Sequence, residues 1–145
     1  MSTLRNYMMM VFVVAGLFLF SQPLAAETVT VQVRSIAAST QGTSFDARLN
    51  DLRANLDRGF AKYTNFQQVG VSSFSLNVKQ SHDVALVSGD GLTMTFHGRA
   101  GDFIKLGLAI GSRLNTTLRV TPGSTFFQAG LNYRDGILIL AITVR

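Results

Sequence analysis

Near its start the chain alternates in a period of two. Val29, Val31 and Val33 are interleaved with Thr28, Thr30, Gln32 and Arg34. β-branched residues at that spacing predict a strand. The period then changes. Phe45, Leu49, Leu52, Leu56 and Phe60 follow at intervals of four, three, four and four, which places them on one stripe of an α-helix. Asp46, Arg48, Asn50, Asp51, Arg53, Asn55, Asp57 and Arg58 populate the other faces. Thr43 with Asp46 three residues on predicts a capping box with a shortened acid. Asp46 also falls in the first turn, where the helix dipole favours an anion. A helix this short is marginal alone in water, so its stripe must dock on another element.

Beyond Asn65 the period returns to two. Phe74, Leu76 and Val78 share one face, as do Leu92, Met94 and Phe96, then Ile104, Leu106, Leu108 and Ile110, then Leu114, Thr116, Leu118 and Val120. SGDG at 88–91, GRAGD, GSR and TPGS supply the glycine, aspartate and proline of tight turns between them. TFFQAG and GILILAITV, separated by LNYRD, complete the series. Connections this short join antiparallel neighbours. The predicted fold class is therefore α+β: a mostly antiparallel β-sheet of about seven or eight strands, strongly curved or sandwich-like, with one amphipathic helix packed on it. GILILAITV is apolar on both faces, Ile137, Ile139 and Ala141 on one and Leu138, Leu140, Ile142 and Val144 on the other. A strand of that kind belongs in the middle of a sheet. Pairing with the N-terminal strand and cover by the helix on one face are expected. Either a second layer of this chain or a partner must cover the other face.

The first 26 residues follow a different pattern. MSTLRNY carries one charge, Arg5, and residues 8–20 are an uncharged apolar run of 13. SQPLAA follows, with Pro23 as a breaker and Ala25 and Ala26 as small residues. Those are the three regions of a secretory signal peptide, and the run falls short of the roughly 20 residues of a spanning helix. Residues 1–26 are thus expected to be an export signal with cleavage after Ala26, leaving 27–145 as one β-rich domain and no stable transmembrane anchor. The expected location is the bacterial periplasm or the medium. There is no cysteine, so packing or a partner must supply all the stability of an exported chain.

Charged residues make up 14% of the sequence, with a net charge of +5 that falls by one when Arg5 leaves. The cations are scattered without a run, which argues against nucleic acid as a partner, since that needs a clustered basic footprint.

Candidate chemistry is sparse. Ser81-His82-Asp83 has the residue types of a hydrolytic triad, but neighbours on a strand point to opposite faces and a triad must converge. It reads as a polar turn between strands. A zinc site would have to combine His82, His97 and an aspartate such as Asp83. Glu27 would be the new N-terminal residue, and the seven aspartates have local explanations on the helix surface or in turns, not as a flanking catalytic pair. The glycines of SGDG and AIGSR match no phosphate-loop spacing. Asn115-Thr116-Thr117 matches a glycosylation acceptor that carries no information in a bacterial export context. No catalytic, metal or cofactor-binding residue is assigned, and an enzyme is not expected.

Phe126 and Phe127 are adjacent, so on a strand only one faces a given core. With Tyr133 and Arg134 in the turn that follows, an exposed phenylalanine would make a candidate interaction surface of Phe126, Phe127, Tyr133 and Arg134, aromatic and arginine side chains being enriched at contact hot spots. The alternative is a second core or a sheet-on-sheet contact.

Taken together, the strand end around Ala37-Ala38-Ser39, FDARLNDLRANL, the Gly89-Asp90-Gly91 hairpin, LNTTLRVTPGSTFFQAG and RDGILILAI resemble a group of small exported bacterial proteins without assigned activity. The resemblance implies export and a compact domain, and carries over no catalytic residue. The functional expectation is a non-catalytic cell-envelope protein acting through contact with an envelope protein or its own copies, as an accessory or structural subunit. The alternative is a periplasmic module for a small apolar or carbohydrate ligand, held between helix and sheet or in a half-barrel mouth.

Overall fold

A computed structural model describes residues 27–145; the export signal expected at 1–26 lies outside the described residues. Eight strands form, β1 Thr28–Ser39, β2 Asn65–Asn77, β3 Ser81–Ala85, β4 Gly91–Ala100, β5 Phe103–Ile110, β6 Leu114–Val120, β7 Thr125–Tyr133 and β8 Gly136–Val144. They make two four-stranded sheets, ordered β2-β1-β8-β7 and β3-β4-β5-β6. Every pairing is antiparallel. The architecture is an α+β sandwich, not closed into a barrel, with a single short helical layer outside the first sheet.

Two cores follow from the strand periodicity. Between the sheets, Val29, Val31 and Val33 of β1 meet Leu138, Leu140 and Ile142 of β8 and the buried residues of β4 and β5. On the outer side of the first sheet, Ile36, Ala38, Ile139 and Ala141 pack under Leu49, Leu52 and Leu56. β8 lies between β1 and β7, with Leu140 opposite Ser35 and Gln128. Its apolar residues are divided between the cores as its sequence predicts. The face opposite the helix is covered by this chain's own second sheet.

The helical segment departs from expectation in its first half. Ala47–Leu52 is a 3-10 turn, and only Arg53–Gly59 is α-helix, α1. The stripe survives because the interval of three, Leu49 to Leu52, falls in the 3-10 turn and the interval of four, Leu52 to Leu56, leads into the α-helix. Asp46, not Thr43, is the N-cap, accepting from the Arg48 N–H. Burial of Leu49, Leu52 and Leu56 contributes about 5–9 kcal/mol gross, which anchors a segment too short to be stable alone.

β2 begins at Asn65, well before the alternation around Phe74 suggests it. Its register against β1 slips between Ser35 and Ile36, because Ser35 pairs with Gly70 and Ile36 with Gln68. Val69 is the extra residue of a bulge. Ser81-His82-Asp83 is part of β3, and the turn before it lies at residues 78–80, with Lys79 at φ 69°. Val78 shares no buried face with Phe74 and Leu76; it is 37% exposed. β7 continues through Leu131, Asn132 and Tyr133 past a second irregularity between Gln128 and Leu131.

Candidate interaction surfaces

The strand geometry disperses the catalytic candidates. On β3, Ser81 pairs with Thr95 and Asp83 with Thr93, both on the outer face of the second sheet. Ser81 Oγ lies 2.6 Å from Thr95 Oγ1, and Thr93 Oγ1 donates to Asp83 Oδ1 at 2.6 Å. His82 turns the other way and stacks on Phe74 at 4.1 Å between ring centroids. His97 stands on the outer face over Gly107, where a Cβ would come within 2.8 Å of its Nε2. The two histidines occupy opposite faces of one sheet. Among the described residues, no group of three or more His, Asp or Glu side chains comes together.

The acids near the helix join an ionic lattice. Arg34 on β1 donates through Nη1 and Nη2 to both Asp51 carboxylate oxygens at 2.7 and 3.1 Å, and through Nε to Gln68 Oε1. Asp46 accepts from the Arg48 backbone N–H, from Arg48 Nη2 at 2.7 Å, and from the Gln68 N–H at 3.0 Å. Hydrogen bonds from Arg48 and from those backbone N–H groups hold the Asp46 carboxyl well below the usual carboxylate range. The Arg34 guanidinium lowers Asp51 in the same direction. These contacts tie the 3-10 turn to β1 and β2.

The four residues of the expected contact surface do not form one patch. Phe126 packs against the core between the sheets, whereas Phe127 packs against the helical core, with its ring 6.3 Å from that of Phe60 in an edge-on arrangement. Neither is an exposed phenylalanine. Two adjacent aromatics can both be sheltered because β7 runs between two layers. Tyr133 and Arg134 lie at the far end of β7, about 20 Å along the strand at ~3.3 Å per residue.

Two other surfaces emerge, the second of which includes Tyr133 and Arg134. The first is the β2 side of the sandwich. Its first residues are covered, since Phe66 exchanges backbone hydrogen bonds with Ser44 and Asp46. Farther along, β2 is an edge strand bonded to β1 only. Val71 is 52% exposed there, and Val87, 47% exposed, reaches the side of Gly70. Alternation around Gly70 is broken by glutamine and serine, which hid this strand in the sequence.

The second surface is a cleft of about 160 Å³ at one mouth of the sandwich. The end of β1, the start of β2 and the β7–β8 turn meet there, bringing Gln41, Asn65 and Gln67 beside Tyr133, Arg134 and Asp135. Asn65 Nδ2 donates to the Gln41 carbonyl at 2.8 Å, and Gln67 Nε2 donates to Asn65 Oδ1 at 3.1 Å. The Arg134 guanidinium lies 5.1 Å from the Tyr133 ring centroid. Gly136 makes the approach of the turn to β1 feasible, since a Cβ there would overlap the Ala38 carbonyl. Among the described residues no helix is long and apolar enough to cross a membrane.

No protein family, curated protein or solved structure matches this chain.

Proposed function

We propose that this chain is a non-catalytic exported protein of the cell envelope that acts by contact with other proteins, as an accessory or structural subunit. The observation that carries the reading is the β2 side, where an edge strand bonded on one side only is flanked by Val71 and Val87. Edge strands in proteins that stay separate are usually guarded by charge, proline or bulges. From Gly70 to Asn77 this edge holds no charge and no proline, and its bulge at Val69 lies before that stretch. Exposed backbone N–H and C=O groups beside apolar side chains favour pairing with an extended segment of another protein.

Chemical cross-linking and size-exclusion chromatography of the purified protein, alone and with envelope extract, test the reading. Val71→Lys with Val87→Lys should abolish a specific complex while leaving the urea midpoint nearly unchanged, because both side chains are exposed. A strict monomer that captures no envelope protein, or a complex indifferent to the two lysines, refutes it.

The binding-module reading is favoured by one observation of its own, the cleft beside Tyr133 and Arg134, which mixes polar side chains with Ala37, Ala38 and Val69.

A further inference from the structure

The β7–β8 turn carries an anomaly with a chemical consequence. Its two loop residues are Arg134 and Asp135, since Tyr133 pairs with Gly136. Arg134 takes φ 51°. In a two-residue hairpin a positive φ at the first loop position is met most cheaply by glycine. A side chain held in that region costs on the order of 1 kcal/mol or more and is characteristic of binding and catalytic positions. Nothing inside the fold compensates through Arg134. The ion pairs of the described residues are Arg34–Asp51, Arg48–Asp46 and Arg99–Glu27. Among those residues neither Arg134 nor Asp135 has a side-chain hydrogen bond, and the Arg134 guanidinium rests only on the Tyr133 ring.

We propose that the cleft formed by Gln41, Asn65, Gln67, Tyr133, Arg134 and Asp135 is a binding site for one neutral sugar unit, such as the end of a glycan chain. A guanidinium contributes five donors in a plane, a carboxylate accepts through two oxygens, and each carboxamide does both. Sugar hydroxyls both donate and accept, so a site that mixes such groups suits them. Charge makes the ligand neutral: Arg134 and Asp135 stand side by side, so an anion would meet the carboxylate and a cation the guanidinium. The carboxamides are oriented in advance. Asn65 is held by the Gln41 carbonyl, and both Gln67 N–H groups are committed, to Ser44 Oγ and Asn65 Oδ1. That turns Gln67 Oε1 into a fixed acceptor. The volume of about 160 Å³ equals about five waters at ~30 Å³ each. That admits one pyranose ring and lies below the roughly 300–1,000 Å³ of sites for drug-sized molecules. The Tyr133 ring packs on the core between the sheets, with the Arg134 guanidinium 5.1 Å from its centroid, and lines the cleft beside them. This site uses the start of β2, before the open edge from Gly70 to Asn77, and neither proposal depends on the other.

Titration of the ¹⁵N-labelled protein with methyl glucoside and N-acetylglucosamine, with glucuronate and acetate as anionic comparators, tests the inference by NMR. At least one neutral sugar should produce saturable shifts confined to residues 39–42, 65–69 and 133–136, with a dissociation constant in the millimolar range. Arg134→Gly should weaken that binding about tenfold or more. The variant should keep or raise the urea midpoint, because glycine relieves the turn; lost binding then cannot be lost folding. Asn65→Ala should also weaken binding, with the Arg134 turn intact. No shift from either neutral sugar at about 50 mM overturns the proposal. So do shifts produced by the anions alone, or binding that Arg134→Gly leaves intact.

Discussion

Leu140→Ala, compared with Ile139→Ala, tests the division of β8 between two cores. Both side chains are fully buried, Leu140 between the sheets and Ile139 beneath the helical layer. Removing three carbons from Leu140 forfeits about 2.4 kcal/mol of transfer free energy at ~0.8 per methylene. A residual cavity of some tens of Å³ adds about 1–2 kcal/mol at ~24 cal/mol per Å³. Cross-strand neighbours Ser35 and Gln128 allow some collapse, so the expected loss is about 3–4 kcal/mol. That is a large share of the ~5–15 kcal/mol total for a domain of this size. In urea it should lower the midpoint by roughly 2 M with an unchanged slope. Combining each variant with Leu52→Ala separates the faces. Ile139 and Leu52 share the helical core, so that pair should couple by about 0.5 kcal/mol or more. Leu140 and Leu52 belong to different cores and should add to within about 0.5 kcal/mol. A Leu140→Ala loss below about 1 kcal/mol, or coupling of Leu52 with Leu140 in place of Ile139, would refute the two-core assignment.

The ionic lattice predicts an acid limb. The folded-state pKa of Asp46 lies below its ordinary value of 3.8. Its contribution is therefore complete above that unfolded value and is lost as pH falls through it toward the folded one. Urea midpoints between pH 7 and pH 2.5 should fall on the acid side of about pH 4, and Asp46→Asn should flatten that fall; an equal fall in the variant would show that other carboxyls cause it. Gly136→Ala forces a Cβ into the Ala38 carbonyl, so backbone must shift at a cost of about 1–3 kcal/mol; a melting temperature unchanged within error would show that the turn is not held against β1.

The elements legible from sequence are those whose side-chain period matches a single face. Leu92, Met94 and Phe96, and Ile104 through Ile110, alternate without interruption and lie where the pattern puts them, because one face of the second sheet meets the core and the other meets solvent. The divided apolar content of GILILAITV also reads correctly. The failures have separate physical causes, and one of them is a strand that changes its surroundings partway along. β2 passes from beneath Ser44 and Asp46 to an open edge and absorbs Val69 in a bulge, so no single period describes it. β3 is five residues long at a sheet margin, where polar Ser81 and Asp83 carry little penalty and imitate a turn. The 3-10 character of Ala47–Leu52 depends on Asp46 and Arg48 meeting Gln68, a contact across 22 residues that local spacing does not encode.

The placement of Phe126 and Phe127 also turns on what surrounds their strand. Adjacent phenylalanines leave two outcomes open in the sequence, one exposed ring or a strand with a second core. β7 has two cores, because the second sheet covers one face of the first sheet and the helical layer covers the other, and each phenylalanine finds its own layer. Tyr133 and Arg134 were recognisable by residue type, yet their neighbours Gln41, Asn65 and Gln67 come from segments more than 60 residues away in sequence. Only the register of β8 against β1, which sets Ile137 opposite Ala38, carries the β7–β8 turn to the start of β2. The apolar strand that dominates the core therefore also positions the polar cleft: with Ile137 and Leu138 docked on β1, Arg134 and Asp135 must project at that mouth. A one-residue slip of β8 would exchange its two apolar faces, costing both cores at once. The register of β8 thus places one wall of the cleft, and the hydrogen bonds of Asn65 and Gln67 orient the other.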